Sequence, residues 1–496
     1  MSERVNSQKD RMFRFLEMVP GGASWAVIIA LVVLAVFSPV VSAVAVIVFE
    51  FYWIVRTLYL TTLLLMAHRQ LLKQKNTDWL ALGRGLPGFD GLFQLVIFPV
   101  YKEGLEILRP SLEALKNSSY PAERIIVVLS FEDRFKPARQ LSEVLAREYE
   151  SAFYGYITTF HPDGIPGEER MKGANATWAG QRARDFIEGK GIPLENVVVS
   201  CFDADTCCHK EYLACLAYHF LNNPRPHQAS YQPIPVYNNN IWTAPSFARV
   251  VEMSASFSQM IESMRLEKFV TFSSHSMSFK TLVEIDYWPV DMVSDDSVIY
   301  WKGFLHYKGA YRVIPLYTTV SMDAAYARSF FGTIVMQYKQ KRRWAWGVEN
   351  FPYVVRRFLR EEGVPLGLKL RRSFHLLESH VTWAVWAVIL IIIAPLPILL
   401  GGVFFREMPI GFNLPRITGF LLNFTLGTSI VWVLLSRAIL PSRPKGVPWF
   451  KNVLIAVEWV IAPLIIILLG STPALDAQTR LFLGRKMKFF PTEKRR

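Results

Sequence analysis

Two acidic clusters carry residue types that group-transfer chemistry needs. Asp203 and Asp205 flank Ala204 directly after the run Val197-Val198-Val199-Ser200-Cys201-Phe202. Carboxylates at i and i+2 in an irregular segment can both turn toward one cation. Their hard oxygens suit Mg2+ or Mn2+, which would bridge to diphosphate oxygens. A solvated turn is the competing reading, and the Val-rich strand just before it favours the metal. The second cluster, Ser294-Asp295-Asp296-Ser297, precedes Val298-Ile299-Tyr300-Trp301. Adjacent carboxylates beside an aromatic wall can have one pKa raised, as a general base for a hydroxyl requires. Acidic residues in a first helical turn would give the same pattern for stability alone.

Two basic segments complement these. Gln340-Lys341-Arg342-Arg343-Trp344 lies in a helical stretch starting near Phe330. Arginine pairs with phosphate oxygens and indole stacks on sugar faces; a basic interfacial helix anchored by Trp is the alternative. Lys172-Gly173-Ala174-Asn175 sets a lysine and a glycine at a helix start, where phosphate or sugar can be met, or where the helix is simply capped.

The elements that must position these residues alternate. Strands are expected at Gln94–Phe98, Arg124–Leu129, Tyr154–Thr159 and Val197–Phe202. Helices are expected near Leu105–Lys116, Pro137–Tyr149 and Asn175–Glu188. The pattern predicts an α/β domain with a mostly parallel sheet covered on both faces. Ligands in such sheets bind beyond the carboxyl ends of the strands, where Asp203 and Asp205 fall.

The 496-residue chain is 51% apolar and carries a net charge of +14, more apolar than a soluble protein of this size needs. With apolar spans present, the basic excess points to a membrane surface or an anionic substrate and away from nucleic acid. Cys201, Cys207, Cys208 and Cys215 fall in one short stretch, which suits a reducing compartment and no disulfide framework. Cys207-Cys208-His209 lacks the second ligand pair that zinc requires.

Ser24–Val41 and Val44–Leu65 each approach the ~20 residues that cross a bilayer, with Ser38-Pro39 as the turn. Arg4, Lys9, Arg11 and Arg14 precede the first run, but the second run argues for a retained hairpin over a signal peptide. Three more runs follow, Thr382–Phe405, Ile417–Val433 and Val453–Leu469. The division expected is a transmembrane hairpin (1–67), a cytoplasmic α/β domain (68–320), interfacial helices (321–375), a transmembrane bundle (376–475) and a basic tail (476–496). Positive charge puts the N-terminus and the loop with Arg437, Arg443, Lys445 and Lys451 on the cytoplasmic side, in a plasma or inner membrane. Five crossings would send the tail of Arg480, Arg485, Lys486, Lys488, Lys494, Arg495 and Arg496 outside, against the same rule. One late segment is then re-entrant or interfacial, or the count of spans is off by one, and Glu458 and Pro463 make the last run the suspect.

In order along the chain, Pro99-Val100-Tyr101-Lys102-Glu103, Lys172-Gly-Ala-Asn175, Asp203-Ala-Asp205, Ser294-Asp-Asp296 and Gln340-x-x-Arg343-Trp344 resemble the membrane-embedded family 2 glycosyltransferases, which include cellulose, chitin and hyaluronan synthases. The resemblance runs from Phe98 to about Trp346 with the flanking membrane segments. It implies a GT-A-type domain between transmembrane helices and a nucleotide-sugar donor, a UDP-sugar first. It further implies an inverting, metal-dependent transfer that extends a polysaccharide and couples to its secretion. Glu103, Asp133, Lys172, Asn175 and Asp203 would line the donor pocket, Asp205 would hold the metal, and Asp296 would be the base. Gln340, Arg343 and Trp344 would hold acceptor and diphosphate. Transfer of one sugar to a lipid, as in ceramide glucosyltransferases, is the alternative. Two departures matter. The second strand ends Glu132-Asp133-Arg134 where the family usually has paired aspartates and a glycine. Phe272-Ser-Ser-His275 stands where cellulose synthases carry Phe-Cys-Gly-Ser, leaving the acceptor open.

Overall fold

A computed structural model describes residues 10–441, Gly446, Pro448 and 457–487. Arg4, Lys9, Arg443, Lys445, Lys451, Val453, Lys488, Lys494, Arg495 and Arg496 lie outside the described residues. Helix α1 (Arg11–Phe37) is capped by Asp10, whose carboxylate accepts from the Met12 N–H at 3.0 Å. It breaks at Ser38, and α2 (Pro39–Lys75) opens on a proline, which has no N–H to lose at a first helical position. At 1.5 Å per residue α1 extends about 40 Å, beyond the ~30 Å hydrocarbon core of a bilayer. Phe37, Val48 and Phe51 of this hairpin are exposed.

The last turns of α2 pack onto the sheet domain. Leu63, Leu64 and Ala67 lie in one cluster with Ile234, Val236, Phe257, Met260 and Ile261. The membrane hairpin and the α/β domain are therefore joined through a shared core.

Among the described residues, eight strands form one sheet. They are β1 (Phe93–Val100), β2 (Ile125–Glu132), β3 (Gly155–His161), β4 (Val197–Cys201), β5 (Cys207–Cys208), β6 (Ala229–Val236), β7 (Ser276–Ser278) and β8 (Arg312–Ser321), in the order β3-β2-β1-β4-β7-β6-β8-β5. The first four in that order are parallel, with Leu95 opposite Ile126 on one side and Val199 on the other. β6 and β8 are also parallel, whereas β7 and β5 are antiparallel to their neighbours. Side chains alternate faces: Val96, Phe98, Val127 and Leu129 enter one core, Leu95, Ile97, Ile126 and Val128 the other.

Helices α3 (Leu105–Lys116), α4 (Ala138–Tyr149) and α5 (Lys172–Gly189) connect the parallel strands. Ala176, Ala179, Ala183 and Ile187 bring α5 close against β1 and β2. α6 (Ser246–Ser263) and α7 (Asp295–His306) follow. Next come α8 (Phe330–Ala345), capped by Ser329 Oγ on the Gly332 N–H, and α9 (Asn350–Arg360).

The C-terminal part begins with α10 (Leu366–Ala387), which continues through a π-helical turn to Ile393. α11 (Pro409–Ile439) lies beside α2, with Leu414 against Ala43 at one end and Trp432 Nε1 bonded to Thr61 Oγ1 at 3.0 Å at the other. Among the described residues α1, α2 and the Leu366–Ile393 helix are long and apolar enough to cross a membrane. The described part of the last apolar run, 457–469, packs on α6. Ile465 and Leu469 pack with Phe247, Val250 and Val251 of α6, and Glu458 pairs with Arg249. α12 (Thr472–Phe482) then returns to α1, where Ser24 Oγ meets Gln478 Oε1 at 2.6 Å and Arg14 donates to the carbonyls of Leu481 and Phe482.

Candidate active site

The loops after β1, β2 and β4, the start of α5 and the start of α7 meet at one edge of the sheet. Lys172 opens α5 and its Nζ lies 2.7 Å from Asp203 Oδ1 and 2.9 Å from Asp296 Oδ1. Burial opposes the lysine's charge, but Asp203 and Asp296 outweigh it and raise its pKa well above the ordinary value. Gly173 is required beside it, because a Cβ there would lie 2.2 Å from the Pro289 carbonyl oxygen. Asn175, one turn on, donates to the carbonyls of Ser130 (3.0 Å) and Val100 (3.4 Å), tying together the ends of β2 and β1.

Asp203 is partly open to the cleft, with Oδ2 accepting from Ser273 Oγ at 2.7 Å. Asp205 is fully buried behind it, and its Oδ2 accepts from the Asp323 N–H at 2.8 Å. Hard carboxylate oxygens in a strand-end loop are the donor chemistry that Mg2+ and Mn2+ take. Two such groups suffice where substrate phosphates and water complete the shell. Among the described residues no three acidic, histidine or cysteine side chains surround a single point. The residues thus fit a divalent ion shared with a phosphate ligand, and not an all-protein cage.

Asp295 and Asp296 form the first turn of α7. Burial, and then the neighbouring Asp296 carboxylate, push Asp295 upward, while Lys172 and Arg343 act in the opposite sense. His275 lies 3.8 Å from Asp296 through Nδ1. Its Nε2 faces the Trp288 indole N–H at 3.3 Å, and indole can only donate, so the ring proton belongs on Nδ1. That proton reaches the Phe272 carbonyl at 3.1 Å. Burial holds the His275 pKa down at about 4, so at neutral pH it is an uncharged, satisfied wall of the site. Ser274 next to it has φ of +61°, the left-handed region where a glycine is easier. Its buried hydroxyl meets Thr206 Oγ1 at 2.9 Å.

The α8 segment closes the cleft. Trp344 packs against Tyr237 and Phe272, with ring centroids 5.6 and 5.8 Å apart, and Lys341 Nζ lies 3.5 Å from its ring centroid. Burial pushes Lys341 down to about 8, opposed by Glu252, whose carboxylate it meets at 3.3 Å. Arg343 carries its charge close enough to act on both Tyr237 and Asp295. Gln340 is buried, and its side-chain oxygen meets no hydrogen-bond donor among the described residues.

Glu103 and Asp133 sit on the β1 and β2 loops. Glu103 accepts from the N–H groups of Tyr101 and Lys102, which shapes its own loop. Asp133 is exposed and paired with Arg139. The buried acid beside it is Glu132, which faces His161 Nδ1 at 3.3 Å, while Glu168 takes Nε2 at 2.8 Å. These three line a cavity of about 110 Å³ with Asp163 and Arg170. Sequence reading named Glu132 and quoted Ser273 within Phe272–His275, but missed His161, Glu168 and Tyr237. Nothing in their spacing marks them: His161 ends β3, Glu168 lies in the segment after it, and Tyr237 follows β6. The four cysteines are free thiols, and Cys201, Cys208 and Cys215 are buried.

The fold and this cleft define a membrane-associated α/β enzyme with its acidic and basic groups at the strand ends. Residues 198–468, more than half of the chain, match the family described as Glycosyl transferase family group 2, and the chain belongs to that family. Among solved structures it is similar to the mannosyltransferase PcManGT from Pyrobaculum calidifontis in complex with GDP-Man and Mn2+. That likeness has a TM-score of 0.44 and 12% identity, over 86% of this chain and 100% of that one. It is also similar to residues 1–349 of TarS from S. aureus in complex with UDP-GlcNAc, with a TM-score of 0.39 and 13% identity, over 72% of this chain and 98% of that one. No curated protein matches the chain significantly.

Proposed function

We propose that this glycosyltransferase uses a nucleotide-sugar donor and a divalent metal ion to extend a polysaccharide at the membrane, with inversion. The observation that carries the reading is the bridge from Lys172 to both Asp203 and Asp296, residues of separate loops. Asp296 takes the proton of the acceptor hydroxyl as its oxygen attacks the anomeric carbon, and the bond to the diphosphate breaks. Asp203 and Asp205 are the residues that would hold Mg2+ or Mn2+, which when bound supplies positive charge for the departing diphosphate. Lys172 and Arg343 add to that charge, and Asn175, Glu103 and Asp133 border the donor. Trp344, fixed by its aromatic neighbours, offers a face for the acceptor sugar beside Gln340.

The chain crosses the bilayer on α1, α2, α10 and α11, with the sheet domain in the cytoplasm, and these helices give the product a path outward. A single transfer to a lipid acceptor is the second reading. It is favoured by the exposed Phe330, Phe331 and Val335 on the helix that carries Trp344. Purified protein in detergent is to be incubated with UDP-glucose, UDP-GlcNAc, UDP-glucuronate or GDP-mannose, with Mg2+ or Mn2+. Metal-dependent release of nucleoside diphosphate from one donor is expected, with products weighed by mass spectrometry. A ladder of sugars supports the polymerase, one sugar on a lipid supports the second reading, and no turnover with any donor overturns both.

A further inference from the structure

Asp296 works only if α7 is held still relative to the acceptor end of α8, and one buried side chain makes that connection. Ser294 precedes α7, yet its side chain does not cap its own helix. Its N–H and its hydroxyl instead face Glu349 Oε1, at 3.0 and 2.9 Å. Glu349 Oε2 accepts from the Trp346 indole N–H at 2.9 Å. Asn350 lies 3.1 Å from the Ser294 hydroxyl through Oδ1 and donates to Ser297 Oγ at 2.7 Å. Glu349 is 3% exposed and closes the 3-10 turn Trp346–Glu349 that follows α8 directly. A carboxylate at a helix N-terminus also meets the positive end of the helix dipole.

We propose that Glu349 is a positioning residue for the transfer reaction. It locks the first turn of α7, and with it Asp296, to the segment that carries Gln340, Arg343 and Trp344. This rests on the transferase reading above and adds to it the part that sets the base against the acceptor. Glu349 acts through Ser294 and Trp346, which it bonds directly. Its effect is on distance and angle, to which transfer is steeply sensitive, a misplacement of about 1 Å costing on the order of 100-fold in rate.

The test is Glu349→Gln, which keeps one oxygen for Ser294 but turns an amide N–H2 toward the Trp346 N–H. The donor is the member of the panel above that the wild-type protein turns over. We expect kcat to fall about 10-fold or more, with donor KM within about twofold, UDP or GDP binding unchanged and the thermal transition retained. Adding Ser294→Ala to Glu349→Gln is expected to cost less than the sum of the two single losses, since both act on the hydrogen bonds of one side chain. Should Glu349→Gln fail to fold, Ser294→Ala, which removes the hydroxyl donor to Oε1, is read by the same criteria. Wild-type kcat in the folded variant, a parallel change in KM, or additive losses overturn the proposal. Absence of turnover in the wild-type protein is a different result, and it sinks the transferase reading itself.

Discussion

Lys172 reaches Asp296 across 124 positions of sequence and holds Asp203 with the same ammonium group. Without that cation two carboxylates would face each other across the cleft, so the lysine, a helix-start residue by sequence, belongs to the electrostatics of the site. Asp203, Asp205 and Asp296 were legible as candidates because carboxylates bordering an apolar run are conspicuous. The burial of Asp205 and its bond to the Asp323 N–H were not, since they depend on how distant loops pack. His161 was missed for the same reason, and it carries a pH dependence. Burial disfavours its charge, but hydrogen bonds to the carboxylates of Glu132 and then Glu168 outweigh this and raise its pKa. A histidine raised in the folded state contributes stability that is complete below its unfolded value of about 6.5 and lost as pH rises through the raised value. The melting temperature is therefore expected to fall from mildly acidic to mildly alkaline pH, and His161→Gln to flatten part of that slope. An identical slope in the variant would remove this contact from the account.

The first parallel strands and their helices were readable as elements. The observed α3 is Leu105–Lys116, and the four expected strands all occur, because buried Val- and Ile-rich runs alternate with amphipathic stretches. β6 and β8 were not recognised. β6 contains Pro233 and Pro235 and β8 contains Pro315, residues that argue against a strand, and the β6–β8 register shifts between Gln232 and Ile234. The last apolar run shows the limit of hydropathy in the other direction. Its Glu458 accepts two guanidinium bonds from Arg249, itself buried on α6. A buried carboxylate without such a partner costs several kcal/mol, and this pairing accounts for Glu458 against the sheet domain. Under the proposed crossing on α1, α2, α10 and α11, the chain ends share one side of the membrane. Reporters fused to the N- and C-termini are expected to read cytoplasmic at both ends. Opposite sides would restore the fifth crossing.

At the scale of the whole molecule, the sheet domain is built onto the long apolar helices. Leu63, Leu64 and Ala67 of α2 share a core with β6 and α6, and α12 runs from α8 back to α1. Tyr338 and Arg342 of α8 both bond Asp476 of α12, so the helix that carries Trp344 is braced against the C-terminal segment. Such bracing holds the cleft against the long apolar helices. The family and the broad plan were legible from five short motifs in order. The way α2, α6, α8 and α12 interlock was not, because those contacts join parts of the chain hundreds of residues apart. The claim on which everything else depends is that Asp296 is the base of a sugar transfer in this cleft. Asp296→Asn keeps the shape and removes the base. The account predicts a fall in kcat of about 10²–10⁴-fold, with nucleoside diphosphate binding intact, in an assay of donor turnover. A folded Asp296→Asn protein that transfers sugar at the wild-type rate would contradict it.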